Sequence, residues 1–309
     1  MKFYLLKRLI IFIPLIFIIS FITFSLMNLS SSDPAEVTLR INNVSITQEA
    51  IEEVRIELGL DKPFLQRYII WLENAVKGDF GISYSLKSPV IDEILYALPT
   101  TLTLAFFTLI LILLVGFGLG IICGLNEGKV LDKILRFFLF FSTAMPNFWL
   151  GLLLIYLFSL YFNLLPTSGF DNYKSMILPS ITLSFAYIST YARLLRNRII
   201  QTKEEPFVIF AKARGLKNST INYHIIKNAI IPCIIALGMS IPKLIAGTVV
   251  IENIFGLPGL GSLCLHAIFG RDLPIIQAYI LFMSCLFIFF NLFADIIARY
   301  IDPRLKKVI

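Results

Sequence analysis

The sequence predicts an all-α protein that crosses a membrane several times, and three observations carry that prediction. Only 15% of the residues are charged while 57% are hydrophobic, against about 25% charged in an ordinary soluble domain. The apolar residues are gathered into blocks of about 20 or more, the length that crosses ~30 Å of hydrocarbon. Basic residues collect in alternate connections between those blocks, as the positive-inside tendency requires.

Six transmembrane helices are predicted, over residues 9–29, 100–124, 135–162, 176–195, 229–250 and 274–298. All are read as helices despite their Phe and Ile runs, because a span must close its own backbone hydrogen bonds in lipid. The first follows Lys2, Lys7 and Arg8. It exceeds the ~7 to 15 apolar residues of a signal peptide core and has no small-residue cleavage site after it, so it is expected to stay as a span. With the N-terminus inside, the inner segments hold three, three, eight and four basic residues, eighteen of the 27 Lys and Arg. Both termini are therefore predicted to be cytoplasmic.

Residues 30–99 then lie outside the cytoplasm and carry 11 acidic and 6 basic residues. Ser45 and Gln48 have capping-box spacing, and Ile51, Val54 and Leu58 recur at helical intervals. After a break at Asp61-Lys62-Pro63, the residues Leu65, Tyr68, Ile69, Leu72, Ala75 and Val76 form a second apolar stripe. A small helical extracytoplasmic segment between the first two spans is expected. No internal repeat is visible, which weighs against an inverted-repeat secondary transporter.

The most informative stretch is the inner loop around residues 203–228. Glu204 and Glu205 place negative charge where a helix N-terminus favours it, Pro206 suits the first helical position, and Gly215 suits the stop. A short helix bearing Val208, Ile209, Ala211 and Ala213, with Lys212 and Arg214 in its last turn, can enter a groove on a soluble partner. It can equally lie on anionic lipid.

The run Ala211-Lys212-Ala213-Arg214-Gly215-Leu216, with Lys227-Asn228-Ala229-Ile230-Ile231-Pro232 after it, resembles the EAA loop of ABC importer permeases. Against the pattern E-A-A-x-x-x-G it departs at Ile209 and Phe210 and matches at Ala211 and Gly215. Further resemblance runs along the chain: Asp33-Pro34, Leu58 to Pro63, Gly78-Asp79-Phe80-Gly81-Ile82-Ser83, Met145-Pro146-Asn147-Phe148-Trp149, Ile251-Glu252-Asn253-Ile254-Phe255, Pro258-Gly259-Leu260-Gly261, Arg271-Asp272-Leu273-Pro274 and Asp302-Pro303-Arg304. In this order the set resembles the nickel, dipeptide and oligopeptide branch of binding-protein-dependent ABC importers.

That resemblance implies a type I importer permease fold, with residues 1–99 as the first span and outer loop, and 100–309 as a five-helix core. Glu205, Ala211, Ala213 and Gly215 would couple the core to ATPase subunits. The other implied partners are a second permease subunit, an external substrate-binding protein and membrane lipid of a bacterial inner membrane. The short connection 163–175 resembles nickel-import permeases more than dipeptide permeases, which favours nickel or a nickel chelate as cargo over peptides.

Other features exclude as much as they suggest. The Gly128-Lys129 pair lacks the remaining residues of a phosphate-cradling loop, so ATP hydrolysis is expected elsewhere. H-E-x-x-H and G-x-S-x-G are absent, and no enzyme activity, cofactor, metal site or nucleic-acid contact is expected. Gly116, Gly120 and Gly124 recur every four residues, a strip for close helix packing. Pro146 and Pro242 are possible kinks, as hinges or as tolerated breaks. Lys243 is ionisable and within a span, either lining the pathway and attracting an anionic part of the cargo or snorkelling outward. Cys264 and His266, close to Asp272, offer only two metal donors in a flexible segment, His224 is read as solvated, and the four cysteines have no paired spacing.

Overall fold

The computed structural model describes residues 2–29, 33–41, 44–57 and 59–301. Leu58, the motif Asp302-Pro303-Arg304 and the basic residues Lys306 and Lys307 lie outside them. Among the described residues the chain is helical throughout, apart from turns and one isolated bridge between Ile82 and Pro89. It divides into two compact units, residues 1–99 with 258–288, and residues 100–257 with 289–309.

The first unit is built on Lys2–Asn28. The helix Phe64–Val76 lies against it through Tyr68, whose ring meets Phe21 and Phe24 edge-on at 5.1 and 5.5 Å. The phenol of Tyr68 pairs with Ser20 Oγ at 2.9 Å. The inward face of this helix therefore follows Tyr68, Trp71, Leu72 and Ala75, whereas Leu65, Ile69 and Val76 of the predicted stripe are exposed. A tyrosine hydroxyl that finds a partner inside outweighs three aliphatic residues that find no neighbour.

Two short helices, Pro34–Ile41 and Gln48–Glu57, pack through Ala35, Leu39 and Ile51. The first was not predicted, but its signal is Asp33-Pro34: the Asp33 carboxylate accepts from Ala35 N–H at 3.0 Å, and proline begins the helix. The second is capped by Thr47 rather than Ser45, with Thr47 Oγ1 accepting from Ala50 N–H at 3.2 Å. Residues 258–288 join this unit through a core of Val90, Ile94, Ala97, Leu260, Ala267, Ile275 and Ala278.

In the second unit the helix Ile177–Lys203 is the hub. It packs against residues 112–125, against Val130–Ala144, against Asn147–Leu154 and against Asn218–Ile254. Its buried Thr182 and Ser184 satisfy themselves on backbone carbonyls of their own helix, and Tyr191 donates to Ser240 Oγ at 2.6 Å.

Among the described residues, four helices are long and apolar enough to cross a membrane: Ile10–Asn28, Val90–Leu125, Asn218–Ile254 and Leu273–Tyr300. A fifth follows if Val130–Ala144 and Asn147–Tyr161, bent by 103°, make one broken span. The predicted third span is thus two helices. Pro146 supplies no N–H and forces Met145 into extended backbone, φ −87° and ψ 122°, which ends the first of them. Pro232 and Pro242, in contrast, sit inside the unbroken helix Asn218–Ile254. The predicted second span begins ten residues earlier than expected, at Val90, because Pro99 lies within the helix and the turns before it are held by the Val90, Ile94 and Ala97 core. The predicted fourth span falls in Ile177–Lys203, which is long enough but too polar to count by apolarity.

Candidate coupling site

The loop after the hub helix folds into the helix Pro206–Ala213. Pro206 takes the first position, where its missing N–H is no loss, and Glu205 precedes it in extended backbone with no side-chain capping bond. At the other end Gly215 adopts φ +74° and donates to Lys212 O at 2.9 Å, a left-handed stop that an L side chain resists. Asn218–Ile254 follows almost at once, so the loop is two turns of helix between two long ones.

Of the apolar residues the short helix was expected to bear, Val208 is fully buried and serves as the anchor. Ile209 and Phe210 are instead 61% and 70% exposed, while Ala211 is half-buried and Ala213 exposed. The two residues that depart from the EAA pattern are therefore the ones the loop presents. A short helix pinned by one valine and offering Ile209 and Phe210 outward has the form of a helix-in-groove ligand.

Upstream, the same loop is tied to its surroundings by charge. Arg196 grips Asp132 with a fork, Nε to Oδ1 and Nη2 to Oδ2, both at 2.8 Å. Gly128 N–H donates to the same carboxylate at 3.1 Å, and Arg136 approaches at 3.4 Å. Asp132 is fully buried, so this bidentate geometry is what makes its charge tolerable. One residue before the loop, Lys203 Nζ donates to Gly124 O at 2.6 Å, a cation on the carbonyl end of Val90–Leu125. Asp132 and Arg196 were missed by the sequence reading; the only hint is a lone acid among Lys129, Lys133 and Arg136.

The three glycines of Val90–Leu125 face the hub helix. A Cβ on Gly116 would lie 3.3 Å from the Ile188 backbone, on Gly120 2.9 Å from Ala192 O, and on Gly124 2.8 Å from Ile199 Cβ. The residues 112–116 leading into them form a π-helical turn.

Lys243 is exposed on Asn218–Ile254, about 17 Å short of its C-terminal end at 1.5 Å per residue. The buried ionisable residue of that helix is Glu252, whose Oε1 accepts from Thr101 Oγ1 at 2.7 Å. His224 is exposed beside Tyr223. Cys264 is buried and His266 exposed on the helix Leu260–Gly270, so the two do not converge. Asp272 is committed to the 83–85 loop: its Oδ2 accepts from Ser83 Oγ at 2.6 Å, from Ser85 Oγ at 2.6 Å and from Ser85 N–H at 2.9 Å. Two sequence motifs nearly two hundred residues apart thereby meet in the first unit.

Comparison with known proteins agrees with this geometry. A family model described as binding-protein-dependent transport system inner membrane component matches residues 116–307, and its N-terminal counterpart matches residues 1–105. The chain is 38% identical over 305 residues to a metal-staphylopine import system permease protein, CntB, of Staphylococcus aureus, covering 98% of each chain. It is 34% identical over 304 residues to a glutathione transport system permease protein, GsiC, of Escherichia coli, again over 98% of each. Among solved structures, the MetNI methionine ABC transporter in an inward-facing conformation aligns with TM-score 0.57 at 14% identity, over 68% of this chain and 96% of that one. An amino acid ABC transporter with histidines aligns with TM-score 0.52 at 17% identity, over 69% and 94%. These two share the fold. With the family models spanning nearly all of its length and two relatives above 30% identity along it, the chain belongs to the binding-protein-dependent ABC importer permeases and is a multi-pass membrane protein with a transport role.

Proposed function

We propose that this permease forms one half of a translocation pathway for a metal chelate, nickel-bearing by preference, and is driven through the helix Pro206–Ala213 by ATP hydrolysis in separate subunits. The observation that carries the reading is the pinned loop helix, with Val208 buried and Ile209 and Phe210 held out. Glu205, Ala211, Ala213 and Gly215 shape that helix and its exit rather than contact cargo. A second permease subunit completes the pathway, and an external substrate-binding protein delivers to it. Both termini and the loop face the cytoplasm of a bacterial inner membrane, as the basic clusters favour. Ile177–Lys203 is the sixth span in this arrangement, kept from lipid by its neighbours, and Gly116, Gly120 and Gly124 are its close-packing strip. Lys243 faces the pathway and draws the anionic part of the cargo.

The relatives support the cargo class in two ways. One is named for metal-staphylopine import and the other for glutathione transport, so a small chelator and a small peptide are the two readings. The higher identity and the short 163–175 connection favour the chelator. Uptake of radiolabelled nickel, with and without a chelating metallophore, and of a radiolabelled tripeptide in cells lacking this chain decides between them. Lost nickel uptake with intact peptide uptake is the expected result; the reverse overturns the choice. A Cys replacing Phe210 should crosslink to the ATPase subunit, and a crosslink to lipid alone removes the coupling role.

A further inference from the structure

The first unit encloses an open cavity of about 1110 Å³ between the short helices, the 80–87 loop and the start of Leu273–Ile301. That is somewhat more than the roughly 300 to 1,000 Å³ of a small-molecule pocket, as befits a cavity open to one side. Two of its walls hold donors that the fold does not use up. Arg67 has no carboxylate within ion-pair distance among the described residues; its guanidinium donates to the neutral Asn28 Oδ1 and lies 6.0 Å over the ring of Phe24. Gln277 is only 7% exposed, and its Nε2 has no hydrogen-bond partner. Buried amide donors are nearly always paired, so an unpaired one on a cavity wall is a donor available to a bound acceptor.

The rest of the wall sharpens the chemistry. Burial pushes the phenol of Tyr84 up to about 12, so it meets the cavity as a neutral hydroxyl. Desolvation acts on Arg67 as well and lowers its pKa without discharging it at neutral pH. Four acids line the same cavity, Asp33, Glu52, Glu57 and Asp61, against the cations Arg55, Lys62, Arg67 and Lys87. Asp33 and Glu52 lie 2.7 and 3.8 Å from Arg55, and Asp272 behind the wall gives Oδ2 to Ser83 and Ser85 while its Oδ1 has no partner. A guanidinium left with neutral partners, lining the same cavity as a buried amide donor, is a receptor for an oxyanion, and planar guanidinium favours a carboxylate.

We propose that this cavity is a binding site for a small amino-acid-derived carboxylate, with Arg67 as its charged partner and Gln277 as its buried donor. It rests on the permease reading for the source of that solute, a cargo molecule held on the outer side before translocation. A free solute fits better than a protein side chain because Gln277 is too enclosed to be reached across a surface.

The test is equilibrium binding to the whole transporter in lipid nanodiscs without its external binding protein. The probes are radiolabelled alanyl-alanine and iminodiacetate, each challenged with its own amide. Saturable binding of at least one acid, no competition by the amide, and at least about tenfold weakening in Arg67→Gln, the effect of losing one charge-assisted hydrogen bond, is the expected result. Gln277→Leu should weaken binding severalfold with unchanged thermal stability. No saturable binding of either acid, equal competition by the amide, or binding indifferent to both substitutions overturns the site. ATP-driven uptake measured on the same preparation separates the two conclusions: retained uptake without cavity binding removes only the site, whereas a chain that never associates with an ATPase removes the permease reading.

Discussion

A methyl group added to Gly120 tests the packing of the second unit most directly. Its Cβ would lie 2.9 Å from Ala192 O, 3.0 Å from Leu195 Cβ and 3.2 Å from Ala192 Cα. Two of those atoms are backbone and the third is fixed to it, so no rotamer change makes room and the helices must separate. Overpacking of this kind costs about 1 to 3 kcal/mol, and backbone contact puts Gly120→Ala at the upper end. Gly118→Ala has nothing within 4 Å of its new methyl, and should be neutral or gain roughly 0.5 to 1 kcal/mol of helix preference. Gly124→Ala meets Ile199 Cβ, Cγ2 and Cδ1 at 2.8 to 3.0 Å; Ile199→Ala removes the last two. The pair should therefore show a favourable coupling of about 1 kcal/mol in a double-mutant cycle. Thermal unfolding of the purified complex, read by fluorescence-detected size exclusion, gives the ranking. With about 2 to 4 °C per kcal/mol in chains somewhat shorter than this one, Gly120→Ala should lose several degrees. If Gly120→Ala is as stable as Gly118→Ala, the close approach of these two helices is wrong.

Three other outcomes follow from the site. Phe210→Asp adds charge to an exposed apolar face and should leave folding intact while abolishing ATP-driven uptake; unchanged coupling of hydrolysis to uptake would separate this residue from the ATPase contact. Asp132→Asn leaves the Arg196 guanidinium in place without its carboxylate. Breaking a buried pair costs about 3 to 5 kcal/mol, and the partial exposure of Arg196 brings the expected loss nearer 2 to 3; a melting temperature within a degree of wild type would contradict it. Lys243→Met should raise the KM for uptake and leave the melting temperature unchanged, since the exposed side chain has no hydrogen-bond or ion-pair partner among the described residues; unaltered kinetics would place it outside the pathway.

Much of the fold was legible because lipid simplifies the code. Length and apolarity locate Ile10–Asn28, Val90–Leu125, Asn218–Ile254 and Leu273–Tyr300. The same code goes quiet wherever protein replaces lipid as the neighbour. Ile177–Lys203 is surrounded by other helices and can hold Thr182, Ser184 and Ser189 in its buried face, so its hydropathy understates its length. Asp33-Pro34, which starts a helix, was read only as a family motif, and Pro146 only as a possible kink, where the structure has a full break; Gly215 was readable as a stop. Which side of a two-turn helix points outward was not. Val208 and Phe210 differ in burial although both are apolar, because tertiary contact decides between adjacent faces of so short a helix. The Asp132–Arg196 fork joins residues 64 apart, and nothing local to either announces the other. Asp272 was noted only as a neighbour of Cys264 and His266, because its serine partners lie 187 and 189 positions away.

That last pairing bears on how the molecule is made. The Ser83–Asp272 bond closes a loop of 189 residues, and the core around Val90 and Ile94 takes its other half from residues 260–278. During synthesis the early half leaves the ribosome with an unfinished apolar surface and two serine hydroxyls awaiting a carboxylate that has not yet been translated. Residues 258–288 are therefore the keystone of residues 1–99, and truncation before Asp272 should strand the N-terminal unit as a target for membrane proteases, even though every residue up to Pro99 is present.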